Sequence, residues 1–155
     1  MITIFEVAKN KKEYLSLLLL ADEQENMIDR YLEKGKMYVL DDNGVKSECV
    51  ITDEGNGVLE IKNIATLPEF QGRGYAKALI NFIAEKYKRE YKIMQVGTGD
   101  SPLTIPFYEK CGFVRSHVVP DFFIDNYDHP IYECGVQLKD MVYLQREFKS
   151  PFAEI

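Results

Sequence analysis

The residues with most chemistry to offer lie in Glu69-Phe-Gln-Gly-Arg-Gly-Tyr-Ala76, between a strand-like run and a helix-like run. A strand that ends in a tight glycine turn and opens directly into a helix aims several backbone N–H groups at one point, where the helix dipole adds partial positive charge. That is a cradle for an anion, and a phosphate is the expected guest. Gly72 and Gly74 let the backbone approach a bulky group, and Arg73 or Lys77 could add charge toward it. Two common phosphate loops are excluded: Gly-x-x-x-x-Gly-Lys-Ser/Thr is absent, and the dinucleotide fingerprint would need a glycine where Lys77 stands.

A second group of candidates lies in a long excursion, Pro120 to Asp140, where Phe122, Phe123, Tyr127 and Tyr132 are interspersed with Asp121, Asp125, Asp128, Glu133 and Asp140. Aromatic faces and carboxylates together suit an ammonium group, which makes Asp125, Tyr127 and Asp128 candidate contacts to a cationic substrate. A solvated loop with a few packing aromatics fits the same composition. His117 and His129, the two histidines, could each relay a proton near neutral pH or serve structure alone.

The 155 residues suit one domain, 1–155, and a hydrophobic content of 46% is enough to build its core. A net charge of −6 argues against a nucleic-acid footprint and fits a small cationic partner better. Cys49, Cys111 and Cys134 are odd in number, form no Cys-x-x-Cys pair and have no histidine at metal spacing, so neither a disulfide framework nor a metal site is expected, and the reducing cytoplasm is. The apolar run Leu15 to Ala21 is interrupted by Ser16 and too short to span a bilayer, so it reads as neither membrane segment nor export signal.

These candidates must be positioned by regular elements. Ile2 to Val7 alternates as an opening strand. From Asn10 as N-cap, Tyr14, Leu17, Leu18 and Ala21 recur at helical spacing, and a second helical piece from about Glu23 to Lys34 stops at Gly35. Lys36 to Leu40 and Val45 to Thr52 are strands joined by Asp41-Asp-Asn-Gly44, whose Asn-Gly favours a tight hairpin. The turn Glu54-Gly-Asn-Gly57 leads into a strand from Val58 to Thr66, completing an antiparallel meander that feeds the cradle. Beyond it, Ala76, Leu79, Ile80, Ile83 and Tyr87 mark one face of a helix running to about Arg89. Ile93 to Gly97 then closes a strand–helix–strand crossover that puts both strands in one sheet. Ser101 can cap a helix with Pro102 at its first position and Cys111-Gly112 at its end. Pro106 removes a donor and should kink or delay it, leaving ordered turns from Leu103 to Lys110. Phe113 to Val119 and Met141 to Phe148 are the last strands, and Ser150-Pro151 begins a tail.

The order of these parts, with Gln71-Gly-Arg-Gly-Tyr-Ala76 between strand and long helix and Phe107-Tyr-Glu-Lys-Cys-Gly-Phe113 on the next helix, resembles the GNAT superfamily of acyl-CoA-dependent N-acetyltransferases. The family's Gln/Arg-x-x-Gly-x-Gly/Ala motif matches Gln71, Gly74 and Ala76, and its Tyr-x-Lys-x-Gly-Phe signature matches Tyr108, Lys110, Gly112 and Phe113. The likeness covers mainly Val58 to Phe113. It implies an α/β domain of the α+β type in three layers: a central mixed, mostly antiparallel sheet splayed between its fourth and fifth strands, with helices on both faces. It also implies acetyl-CoA as cosubstrate, without a metal. The backbone of Gly72, Arg73, Gly74, Tyr75 and Ala76 would hold the pyrophosphate with Gln71 beginning the loop, and the main chain of Ile64, Ala65 and Thr66 would pair with the pantetheine arm in the splay.

Aminolysis needs a neutral amine, a polarised carbonyl and a proton for the departing thiolate. By the resemblance Tyr108 supplies that proton, because a phenol can donate to sulfur as negative charge develops. Packing of its ring on Phe107 or Phe113 is the other reading. Glu60 stands eleven positions before Gln71, where the histone-acetylating branch of the family carries its catalytic glutamate. On a regular strand it shares a face with Lys62 and Ile64, and both a base that meets the substrate amine and an ion pair with Lys62 fit that placement. The chain departs from many members at Ser101, where an asparagine would reach toward the cofactor arm and a serine reaches less far. Cys111 could lie near the cofactor thiol, with packing as its alternative.

The expected function is acetyl transfer from acetyl-CoA to the primary amine of a small cationic acceptor, by direct attack in a ternary complex. A protein or peptide acceptor, or a non-catalytic acyl-CoA sensor, are the alternatives these residues allow. A homodimer is compatible with the family, and neither nucleic acid nor a membrane is expected as partner.

Overall fold

Alternate burial on two sides organises the opening meander of β1 (Thr3–Val7), β2 (Lys36–Asp41), β3 (Val45–Gly55) and β4 (Val58–Thr66), which pair antiparallel in chain order. In β2, Tyr38 and Leu40 join one buried cluster while Met37 and Val39 join another, so the sheet must be covered on both faces. The computed structural model describes residues 1–149; the expected tail from Ser150 lies outside them.

On one face, α1 (Leu15–Ala21) and α2 (Glu25–Ile28) bring Leu18 and Ile28 against Met37, Val39 and Val50. The other face is covered by α3 (Tyr75–Tyr87), whose Leu79, Ile80 and Ile83 are fully buried at the spacing read from the sequence. Each such side chain contributes about 1.5–3 kcal/mol by leaving water. The sheet continues through β5 (Ile93–Gly99), and α4 (Ile105–Lys110), β6 (Val114–Val119) and α5 (Phe122–Asn126) follow in the chain. A small hairpin of β7 (Tyr132–Glu133) and β8 (Val136–Gln137) precedes β9 (Met141–Glu147). The seven-stranded order is β1-β2-β3-β4-β5-β9-β6, parallel between β4 and β5 and antiparallel elsewhere.

The expected splay lies between the fourth and fifth strands. Parallel pairing runs only from Val58–Ile93 to Ile61–Val96. Beyond it β4 stays with β3 through Ile64, Ala65 and Thr66, while Gly97–Gly99 stays with β9. The register of β3 against β4 shifts where Val50 and Ile51 oppose Asn63 and Ile61, leaving Lys62 as an extra residue in a bulge. That bulge corrects one reading of the sequence. Ile64 turns onto the α3 face with Leu59 and Ile61 instead of sharing a face with Glu60.

Other differences have local causes. Asn10 adopts a left-handed conformation (φ 56°) without a capping hydrogen bond, and a tight 3-10 turn over Lys11–Tyr14 precedes α1. Lys11 instead points inward, where its Nζ donates to the carbonyls of Leu32 (2.9 Å) and Gly35 (2.6 Å) and closes the turns that follow α2. Regular helix in that piece is therefore confined to Glu25–Ile28. Helix α4 begins at Ile105 and places Pro106 in its first turn, where no amide donor is required. The excursion after β6 is no bare loop. It holds α5, the β7–β8 hairpin and a small core of Phe123, Ile131 and Leu138. No helix among the described residues is long and apolar enough to cross a membrane.

Candidate active site

The diverging ends of β4 and β5 open into a cleft of about 740 Å³. One part of its wall is Ile64, Ala65 and Thr66, Gly97–Gly99, the turn residues Gln71, Gly72, Gly74 and Ala76, and Tyr108 from α4; another part, from the segment after α1 and from the excursion, carries Asp22, Glu23, Tyr127 and Glu133.

At the cradle, Gly72 (φ 80°) and Gly74 (φ 84°) hold left-handed backbone that other residues adopt at a cost, and a Cβ added at either would meet no protein atom within 4 Å. The space over this turn is therefore open to a guest. Ala78 N is bonded to Gly74 O (2.9 Å), so the amides of Tyr75, Ala76 and Lys77 at the start of α3 have no acceptor within the helix. Tyr75 is pinned there by donating its hydroxyl to Asp42, and Gln71 Nε2 reaches Thr66 O at 3.4 Å. The Arg73 guanidinium lies over the Phe70 ring (5.0 Å) and off the cleft wall, with the Lys46 ammonium 4.3 Å from the same ring. Free amides, open backbone and nearby cations suit a polyanion, and the β5-facing edge of β4 beyond Ile61 has no strand partner to satisfy it. A diphosphate with an amide-bearing arm fits both.

Tyr108 is 7% exposed and lines the cleft. Its ring packs edge-on to Phe107 (5.2 Å) and Phe113 (5.7 Å), while its hydroxyl has no hydrogen-bond partner among the described residues. Burial first, then the charges of Cys111 and Glu48, raises its pKa well above the ordinary 10, so the phenol keeps its proton at neutral pH.

Several residues singled out in the sequence sit elsewhere. Glu60, 5% exposed, is off the cleft wall, with Oε2 2.8 Å from Lys62 Nζ and Oε1 accepting from Gln95 Nε2 (2.7 Å). Ser101 is buried off the wall, its Oγ accepting from Leu103 N (3.1 Å). Asp125 and Asp128 are outside the wall as well, and Asp128 holds His129 Nδ1. His117 stacks on Tyr143 (4.6 Å). Burial raises the Cys111 thiol above its ordinary pKa, and this residue is likewise not on the wall.

The acceptor-side wall rests on Tyr127, a candidate from the sequence, and on Asp22, Glu23, Gln24 and Arg30, which drew no attention there. Asp22 Oδ2 accepts from Tyr31 Oη (2.9 Å) and Oδ1 from Tyr127 Oη (2.7 Å), and burial raises the carboxyl's pKa against the effect of those hydrogen bonds. Gln24 Oε1 accepts from Asp128 N (3.0 Å), Glu23 Oε1 lies 2.8 Å from His129 Nε2, and Arg30 Nη1 donates to Asn126 Oδ1 (3.1 Å). The excursion is thus tied to the segment around α2. Only a carboxylate placed directly after the apolar run Leu15–Ala21 could have drawn attention to Asp22.

A parallel strand pair that splays beside a helix-capped anion cradle is the arrangement that the resemblance to acyl-CoA-dependent acyltransferases implies. Residues 33–115 match the family model for an acetyltransferase (GNAT) domain. An uncharacterized N-acetyltransferase of Bacillus subtilis strain 168, YvbK, is 36% identical over 135 residues, 85% of this chain and 87% of that one. Among solved structures, a GNAT family acetyltransferase from Elizabethkingia anophelis with acetyl-CoA bound has a TM-score of 0.88 at 35% identity, covering 94% of this chain and 97% of the other. A Bacillus subtilis acetyltransferase in complex with CoA has a TM-score of 0.87 at 32% identity, covering 96% and 100%. The chain belongs to the GNAT acetyltransferase family.

Proposed function

We propose that this protein moves the acetyl group of acetyl-CoA to the primary amine of a small cationic acceptor, by direct attack in a ternary complex. The observation that carries this reading is that one cleft joins an anion cradle, an unpaired strand edge and a free phenol on one wall to acidic groups on the other. The amides at Gly72 to Ala76 suit the pyrophosphate of acetyl-CoA, and the main chain of Ile64, Ala65 and Thr66 suits its amide-bearing arm. Acetyl-CoA supplies the activated thioester. Tyr108, protonated and free of protein partners, is suited to give its proton to sulfur as the C–S bond breaks and the N–C bond forms.

Direct attack is favoured because the wall carries no cysteine and two of its hydroxyls, Thr98 and Thr104, are bonded to each other (2.8 Å). Glu60 is engaged by Lys62 and Gln95, which leaves removal of the amine proton to water or to a carboxylate on the acceptor wall. The excursion narrows that side and favours a small amine over a folded protein. Release of CoA thiol with acetyl-CoA and a panel of alkylamines, arylamines and a peptide tests this. Turnover with small alkylamines and none with the peptide is expected, whereas tight cofactor binding without turnover for any amine would return the sensor reading.

A further inference from the structure

We propose that Asp22, oriented by Tyr31 and Tyr127, anchors the ammonium group of the acceptor. This rests on the reading of the cleft as an amine acetyltransferase site and names the residues that would select its substrate.

Asp22 follows the last turn of α1 and lines the cleft. Each of its oxygens receives one phenolic hydrogen bond, from Tyr31 at 2.9 Å and from Tyr127 at 2.7 Å. A carboxylate has about four lone-pair directions, and with the Gln24 backbone beside the two phenols Asp22 retains room for one further donor. No ion pair to Asp22 is formed among the described residues. Arg30, whose charge bears on it, directs its guanidinium to Asn126 (3.1 Å). A half-buried carboxylate fixed by two neutral donors and lacking a cation is arranged to receive one.

Asn63 supports this arrangement from behind. Its Nδ2 donates to Leu18 O (3.0 Å) and to Tyr31 Oη (3.1 Å), which holds the Tyr31 hydroxyl in place to donate to Asp22. A primary ammonium brings the missing charge and N–H donors, and it attacks only after one proton has passed to water, as the neutral amine that aminolysis needs. Leu20, Phe123 and Leu138, which also line the cleft, give its hydrocarbon part an apolar bed. The substrate class is therefore a primary alkylammonium, rather than an arylamine that is neutral at pH 7 or an amide nitrogen.

The test measures acetylation of n-butylamine, 1,4-diaminobutane and aniline at saturating acetyl-CoA, in the natural protein and in Asp22→Asn and Asp22→Glu. Asp22→Asn is expected to raise KM for both alkylamines about 10- to 100-fold and to leave aniline within about threefold, as loss of one charge-assisted hydrogen bond would. CoA affinity and the thermal unfolding midpoint should stay unchanged, and Asp22→Glu should recover part of the loss. An unchanged alkylamine KM in Asp22→Asn, or an equal loss for aniline, overturns the proposal. Calorimetric titration of n-butylammonium chloride into CoA-loaded protein separates it from the reading it rests on. Binding that Asp22→Asn abolishes supports the anchor even if no amine is acetylated, in which case acetyl transfer to small amines fails alone. Neither binding nor turnover overturns both.

Discussion

The two walls of the cleft are made of different materials. The cofactor-side wall is mostly backbone: a helix N-terminus, a turn held by Gly72 and Gly74, and a strand edge freed where β4 leaves β5. The acceptor-side wall is mostly side chains bonded across the chain, Asp22 to Tyr127, Gln24 to the Asp128 amide and Glu23 to His129. Backbone sites are written in short motifs, because the same few residues must be small, extended or helical wherever the site occurs. Side-chain sites need only complementary groups at distant positions. The first kind fixes what every member of a family binds, and the second is free to define what one member acts on.

The contrast is tested most severely at Tyr108, which belongs to the cofactor-side wall but acts on the reaction. Tyr108→Phe keeps the ring on Phe107 and Phe113 and removes only the free hydroxyl. Turnover at saturating acetyl-CoA should fall by about 10²–10⁴ with CoA affinity retained, the range for loss of a general acid. Unchanged turnover would reduce Tyr108 to packing. Next in size, Gly74→Val places a branched side chain where no protein atom lies within 4 Å of a Cβ. It should raise KM for acetyl-CoA by about tenfold or more, roughly 1.4 kcal/mol, and leave KM for the amine nearly unchanged. An equal rise in both would mean that the walls are not separable.

How much of this was legible follows the same division. The meander, the cradle and α3 were readable because alternation, glycine placement and helical spacing are local, whereas the splay between β4 and β5 was implied only by the family resemblance. The start of α4 was misplaced because Pro106 tolerates the first turn and moved the helix start to Ile105. Ile64 was put on the wrong face because a bulge at Lys62 leaves no mark in an alternating strand. Asp125 and Asp128 drew attention by composition, yet the acidic group facing the cleft beside Tyr127 is Asp22, and 105 positions separate those partners in sequence. No periodicity connects residues that meet only through folding.

The sheet behind the cleft carries a stability cost at Glu48 that it does not carry at Glu60. Glu60 is buried with Lys62 and Gln95 as partners, whereas Glu48 is fully buried with neither carboxyl oxygen hydrogen-bonded. Burial raises the Glu48 pKa well above 4.5, against the opposing effect of the Ala65 backbone. A carboxyl whose pKa is raised by folding binds more protons folded than unfolded, so stability falls as pH rises above its unfolded value. Glu48→Met should therefore stabilise the protein by about 1–3 kcal/mol near neutral pH, and by less at pH 4, as measured by denaturant unfolding. No gain at neutral pH would show that Glu48 is satisfied in solution, and the two carboxylates would no longer differ. Glu60→Gln, which removes one side of an ion pair off the cleft wall, should leave the pH–rate profile of acetylation unchanged; loss of its acidic limb would restore Glu60 as the base.

The smallest expected effect concerns the tie between the walls' supports. His129 lies between Asp128 on its own segment and Glu23 on the segment after α1, and hydrogen bonds to Asp128 first and Glu23 second raise its pKa above 6.5, with burial opposing. A histidine whose pKa is raised by folding contributes its full stabilisation below the unfolded value and loses it as pH rises through the folded one. The excursion should therefore loosen on the alkaline side of neutrality. The other ties, Tyr127 to Asp22, the Asp128 amide to Gln24 and Arg30 to Asn126, do not depend on the imidazolium, so the change is confined to local opening. Hydrogen exchange of the amides in α5 and through His129, corrected for intrinsic rate, should be faster at about pH 8 than at about pH 6, and His129→Gln should remove the difference. The amides of α3 on the cofactor side should show no such pH dependence. Equal dependence in both places would mean that the excursion and the cradle open together, and that the side chains joining the acceptor wall are no weaker than the backbone that makes the other.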